Sequence, residues 1–408
     1  MDEKRLNAYA KLLVTEGVNL QPGEKLYVRC DVTGAYFARK IAEYAYSAGA
    51  FSVTMLFHDQ EFTRLRYGVE SEEALAVVPE WLRLQQNGIA EERAAYIGIL
   101  QEDPELLSSV DPKRVAIASR AKKKACEAYY KAATENRIKW CLAAIPHPAW
   151  AKKVYPEMSE EKAVDALWEA IAFAMRLNEP DPAAAWEKHQ QNLKRRIAVL
   201  NGMKIKTLRY KNALGTDFCI TLPKNYYFAG GSELSEAGCP FTANMPTEEV
   251  FTCPDFRTAE GTVVASLPLS HNGKTVKNFR FTFHEGKVVD FDAEEGKEVL
   301  AEIMKTDEGA SYLGEVALVP YDSPIQNLKT LFYETLFDEN ASCHLALGAA
   351  YPCVTGAEKM TDEERKAAGI NDSMEHVDFM VGTKDLSVDA ETESGEVLPV
   401  FRDGNFVF

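Results

Sequence analysis

No stretch of the 408-residue chain approaches the roughly 20 consecutive apolar residues that a membrane helix needs. Its eight cysteines (Cys30, Cys126, Cys141, Cys219, Cys239, Cys253, Cys343 and Cys353) include no C-x-x-C pair, so neither a zinc ribbon nor a dithiol redox motif is supported. Each is expected to be a small buried apolar residue. G-x-G-x-x-G and G-x-x-x-x-G-K-[ST] do not occur, and the chain therefore carries no dinucleotide or phosphate-loop fingerprint. H-E-x-x-H is missing too, which argues against a mononuclear zincin. Positive charge is scarce: 46 Lys and Arg face 62 Asp and Glu, a net charge of −16. Basic runs are short, among them Lys122-Lys123-Lys124 on a helical stretch. A surface of that sign repels nucleic acid, so none is expected as a partner. The first residues, Met1-Asp2-Glu3-Lys4-Arg5 and onward, contain no continuous apolar segment of the signal-peptide kind, and a cytoplasmic protein without membrane partners is the expectation.

What is present reads as two domains, because a chain of this length exceeds one ordinary hydrophobic core. The first half alternates strands with helices. Leu26–Cys30, Phe51–Phe57, Ala95–Leu100, Val115–Ile117 and Trp140–Ala143 are expected strands. Ala35–Ala48 has helical apolar spacing and stops at Gly49. Helices are expected from Ser159 to about Leu200, with Pro180 and Pro182 as punctuation. From Lys204 onward hairpin signals dominate. Asn272-Gly273 sits between Thr262–Ser270 and Thr275–Phe283, Glu285-Gly286 turns the chain next, and Asp403-Gly404 closes a last hairpin. One helix, Glu295–Lys305, interrupts. The expected fold is an α/β N-terminal domain with an open sheet over residues 1–201, then an α+β, mainly antiparallel β domain over residues 202–408.

Chemistry concentrates in the second half. His376 and Asp378 are two apart on an expected strand, so their side chains share one face. Glu339 and His344 fall in a string rich in small residues, Glu339-Asn340-Ala341-Ser342-Cys343-His344-Leu345-Ala346-Leu347-Gly348. Glu248 and Glu249 precede the β-prone Val250-Phe251-Thr252. Glu315 stands at the mouth of an otherwise apolar strand, where a buried lone carboxylate is costly unless it is paired or metal-bound. If it lies just outside that strand, it simply faces water. Two imidazoles and four carboxylates (Glu249, Glu315, Glu339, His344, His376, Asp378) form a ligand balance suited to Zn²⁺, Co²⁺ or Mn²⁺, with Mg²⁺ admissible, rather than to a thiolate site. Spacing alone fits one ion as well as two.

The strings P-T-E-E-V-F-T (Pro246–Thr252) and E-N-x-S-x-H-x-A-x-G-x-A-Y (Glu339–Tyr351) resemble the aminopeptidase T, aminopeptidase S and PepS family of metallo-aminopeptidases. The resemblance runs from Tyr9-Ala10-Lys11-Leu12-Leu13-Val14 to the C-terminal hairpin. It implies a catalytic second domain, a pair of divalent ions held by the six residues above with Glu315 bridging, peptide substrates with a free N-terminus, and a homodimer. Such an ion pair, when bound, polarises the scissile carbonyl and lowers the pKa of water. Glu248 or Glu315 would serve as general base. Tyr351 matches a family tyrosine beside the metals and would donate to the oxyanion. Two other readings stay open: a different dinuclear hydrolase (an amidase or phosphoesterase), or a metal-binding protein without catalysis.

Overall fold

The computed structural model describes residues 1–271 and 274–408, so the Asn272-Gly273 turn lies outside the described residues. The chain forms two compact units. Met1–His189 together with Ser232–Pro246 make the first; Gln190–Gly231 together with Thr247–Phe408 make the second.

The first unit is built on a four-stranded parallel sheet in the order Ser52–His58, Lys25–Asp31, Ala95–Leu100, Trp140–Ala144. Leu26, Val28 and Cys30 alternate onto one buried face. The helix Ala35–Ser47 packs along that strand and buries Phe37, Ala38, Ile41 and Ala45, the spacing of one helical stripe. Gly49, at φ +92°, ends it in a conformation only glycine adopts cheaply. One expected strand is corrected: Val115–Ile117 lies inside the helix Pro112–Ala125. Asp111 caps that helix by accepting from the Lys113 N–H, and Pro112 fills its first turn. With Ala- and Lys-rich sequence following, three apolar residues cannot override so strong a start.

The second unit contains two antiparallel sheets. The larger has nine strands, including the paired Ile205–Lys211 and Asp217–Thr221. The expected strand Thr262–Ser270 is instead two, Glu260–Val264 and Leu269–His271, interrupted around Pro268. Both strands pair with Lys274–His284. Glu285 and Gly286 both have positive φ (47° and 80°), as do Asp403 and Gly404 (49° and 70°), the backbone that two-residue hairpins demand. The expected helix is present as Lys297–Met304.

The unit boundary differs from the expected split at 201/202. The helix Pro182–Gly202 has no breaker at its middle and runs unbroken across the junction. Trp186, which donates to the Met175 carbonyl at 2.9 Å, is buried in the first unit, while Leu193 and Leu200 join the apolar core of the second. Ser232–Pro246 returns to the first unit, an excursion that no composition change announces. Among the described residues no helix is long and apolar enough to cross a membrane.

Candidate metal centre

The smaller sheet of the second unit orders its antiparallel strands His376–Met380, His344–Gly348, Leu313–Leu318, Val250–Thr252. Period-two alternation sorts its side chains. Val316, Leu318, Leu345, Leu347, Val377, Phe379 and Val250 point into the core of the unit. The opposite face receives Glu315, His344, His376 and Asp378. Register places Ala346 directly between Glu315 and Asp378, Ala317 opposite His344, and Gly348 opposite His376. Small residues thus separate the functional ones and leave room above the sheet. Gly348 has a second constraint: at φ +101°, a Cβ would meet the Glu375 carbonyl at 2.2 Å.

Two groups of donors form on this face. Glu249, Glu315 and His344 offer atoms within 4.8 Å of one another, and so do Glu315, His376 and Asp378. His344 Nε2 lies 3.1 Å from Glu249 Oε2 and 3.5 Å from Glu315 Oε1. His376 Nε2 lies 3.6 Å from Glu315 Oε2 and 3.4 Å from Asp378 Oδ1. Glu315 therefore belongs to both groups, one oxygen to each. It is 5% exposed, which removes the alternative of a glutamate facing water. Glu339 follows the short helix Thr335–Asp338, at the start of a 3₁₀ turn, within charge range of Asp378, Glu249, His344 and Glu315.

Each histidine is oriented from behind. His344 Nδ1 is 3.0 Å from the Ser342 carbonyl, and His376 Nδ1 is 2.7 Å from the Ala349 carbonyl. A carbonyl only accepts, so Nδ1 carries a proton and Nε2, facing the carboxylates, is the atom left to bind a cation.

The donor set fits divalent cations on its own chemistry. Four carboxylates converge in a largely buried region, and among the described residues no lysine or arginine pairs with them; the ion-pair partners of Glu249, Glu315 and Asp378 are the two histidines. Burial pushes Glu315 above the usual carboxylate range, and burial with Asp378 and Glu249 pushes Glu339 well above it. Burial opposes charge on His344, yet Glu249 and Glu315 hold it well above the usual imidazole value. Burial opposes charge on His376 too, but Asp378 pushes it up to about 10. Burial would raise Asp378, but His376 holds it below its ordinary value. Protons and divalent cations compete for a cluster of this kind.

Glu248 is buried but belongs to neither donor group. Its N–H donates to Asn340 Oδ1 at 2.7 Å, and its charge acts on Arg196. Tyr351 is 38% exposed, its ring set edge-on to His376 with centroids 5.5 Å apart and near Phe251 at 5.9 Å. Sequence reasoning passed over Asn340, which is fully buried and ties Glu248 to the Leu336 carbonyl and, at 3.4 Å, to Glu339. Its place between Glu339 and His344 in the small-residue string was the available signal. The Ser342 and Ala349 carbonyls carried none, since any residue supplies one.

The family model for thermophilic metalloproteases (M29) matches residues 2–406. Aminopeptidase AmpS of Bacillus subtilis is 43% identical over 406 residues, covering 99% of each chain. Aminopeptidase 2 of Geobacillus stearothermophilus is 43% identical over 407 residues, covering 100% of this chain and 98% of its own. The solved structure of wild-type AmpT from Thermus thermophilus superposes with a TM-score of 0.93 at 37% identity, covering 100% of both chains.

Proposed function

The chain belongs to the M29 family of thermophilic metalloproteases and is a metal-dependent aminopeptidase, and from that premise we propose that it works with two divalent cations bridged by Glu315. One observation carries the reading: the two Glu315 oxygens face different histidines, Oε1 toward His344 and Oε2 toward His376. His344 and Glu249 would hold one ion, His376 and Asp378 the other, with Glu339 completing the shell. Zn²⁺, Co²⁺ and Mn²⁺ suit this mixture of imidazole and carboxylate.

When bound, the ions supply Lewis acidity to the scissile carbonyl and make a water acidic enough to react near neutral pH. The residues of the chain do the remaining work. Both oxygens of Glu315 would be taken up in holding the ions, which would leave Glu248 as the acceptor for the proton of the attacking water. Asn340 holds the Glu248 backbone and lies beside Glu339, keeping base and ligand in register. Tyr351, at the exposed rim and braced on His376, donates its hydroxyl to the developing oxyanion. The free α-amino group of the peptide docks against the carboxylate-rich centre, so the enzyme takes residues from the N-terminus only. The protein acts as a homodimer in the cytoplasm; the resemblance to the aminopeptidase family supports the dimer, and eight free cysteines fit a reducing compartment.

Chelation followed by reconstitution tests the reading. Stripped enzyme is expected to be inactive on a leucyl amide and to recover with Co²⁺, Zn²⁺ or Mn²⁺, while N-acetylated peptides stay intact. Full activity in protein shown metal-free by elemental analysis, or equal cleavage of blocked and free peptides, would overturn it.

A further inference from the structure

The strand His344–Gly348 ends beside the metal face, and the backbone just past its end is what orients one of the two histidines. Gly348 turns the chain at φ +101°, so the residues after it leave the ladder with His376–Met380. Buried backbone groups that leave a ladder must find other partners. The Ala349 N–H donates to the Glu375 carbonyl at 2.7 Å. The Ala349 carbonyl is turned toward the imidazole of His376, whose Nδ1 lies 2.7 Å away.

Asn371 holds the groups on either side. Its side-chain amide donates to the Gly348 carbonyl at 2.6 Å and to the Gly309 carbonyl at 2.9 Å. Its backbone carbonyl accepts from the Ala350 N–H at 3.0 Å. The residue is 6% exposed, so water does not readily replace these bonds. Two carbonyls call for two N–H groups on one nitrogen, which an asparagine has and an aspartate lacks.

Asn371 is fixed in its turn. Asp307 accepts from the Ala310 N–H at 2.9 Å, the Ser373 hydroxyl at 2.8 Å and the Met374 N–H at 2.6 Å. The Thr306 hydroxyl donates to Glu375 Oε1 at 3.2 Å. Residues 371–375 are thereby tied to residues 306–310. Glycines allow the close approach: a Cβ on Gly309 would collide with the Asp372 carbonyl, and one on Gly314 with the carbonyls of Gly348 and Ala349.

We propose that Asn371 is a positioning residue for the cation on the His376 side, an inference that rests on the two-cation reading above. By pinning residues 348–350 it keeps the Ala349 carbonyl against His376 Nδ1 and so aims Nε2 at the space shared with Glu315 and Asp378. His344 takes its orientation from the Ser342 carbonyl, at the other end of its strand, and is out of reach of this clamp. The effect of Asn371 therefore falls on one ion of the two.

Dialysis of the Co²⁺-loaded enzyme against graded chelator, with metal per chain read by elemental analysis, tests the assignment. Asn371→Asp keeps the size of the side chain and removes both donors. It is expected to release one ion at about 10- to 100-fold higher free Co²⁺ than the wild type and to leave the other unchanged. Turnover of a leucyl amide should fall at limiting Co²⁺ and recover at saturating Co²⁺, a rescue that misfolded protein does not show. If Asn371→Asp melts early, Asn371→Ser, which keeps a hydroxyl donor and adds no charge, is expected to weaken the same step. Two unchanged steps, or two steps weakened alike, would overturn the proposal. A wild type that releases a single ion fails the two-cation reading instead. The claim for Asn371 then stands or falls on whether that one step weakens in Asn371→Asp.

Discussion

In the four-stranded antiparallel sheet of the second unit, the ionisable residues occupy the middle of one face; in the parallel sheet of the first unit, they gather at the carboxyl ends of the strands. Mid-face placement takes Glu315, His344, His376 and Asp378 from three strands and fixes them by register, with Ala317, Ala346 and Gly348 clearing the space between. Strand-end placement brings His58 within 3.7 Å of Glu102, whose carboxylate is open to solvent. A site on the strands is held by the ladder itself and suits metal ligands, whose geometry must be close. A group beyond the strand ends rests on loops and tolerates adjustment.

Mutations can break this contrast. The largest effect belongs to the ligand face: Glu315→Gln, His344→Ala and Asp378→Asn should each abolish measurable turnover and lower the metal content found by elemental analysis. His189→Ala and His271→Ala, outside both donor groups, should change neither. Tyr351→Phe sharpens the reading of the rim, since it keeps the ring against His376 and removes only the hydroxyl. Turnover should fall by about 10²-fold or more with metal content intact. Loss of metal would make the tyrosine a ligand, and no loss of either would make it packing.

Smaller effects separate stability from chemistry. Ile97, fully buried in the parallel sheet, should cost about 2–5 kcal/mol of stability when replaced by alanine, as read by denaturant unfolding. Metal bound per folded molecule should not change. The smallest signal is thiol labelling. Burial pushes Cys30 up to about 11 and Cys253 and Cys343 up to about 12, and only Cys219 and Cys239 are partly exposed. A thiol reagent at neutral pH should modify no more than those two in the native protein and all eight after unfolding.

The sequence showed the class of each half because strand alternation and hairpin turns are local. The candidate ligands stood out for the same reason: carboxylates and imidazoles inside apolar strands are conspicuous without any structure. Which of them meet was not legible. Glu249, Glu315 and Asp378 are far apart along the chain, and only pairing through Ala346 and Ala317 brings them to one face. The strand expected at Val115–Ile117 failed because a capped Asp-Pro start decided the local conformation. The chain passes from one compact unit to the other inside the helix Pro182–Gly202, with Trp186 in one and Leu193 in the other, and no local signal announces that point.

The central claim is that Glu315 joins two cations. Crystals of the enzyme reconstituted with Zn²⁺, measured at the zinc absorption edge, test it most directly. Two anomalous peaks about 3.5–4 Å apart are predicted, one on the His344 side of Glu315 and one on the His376 side. A single peak, or peaks that leave Glu315 unbound, would contradict it.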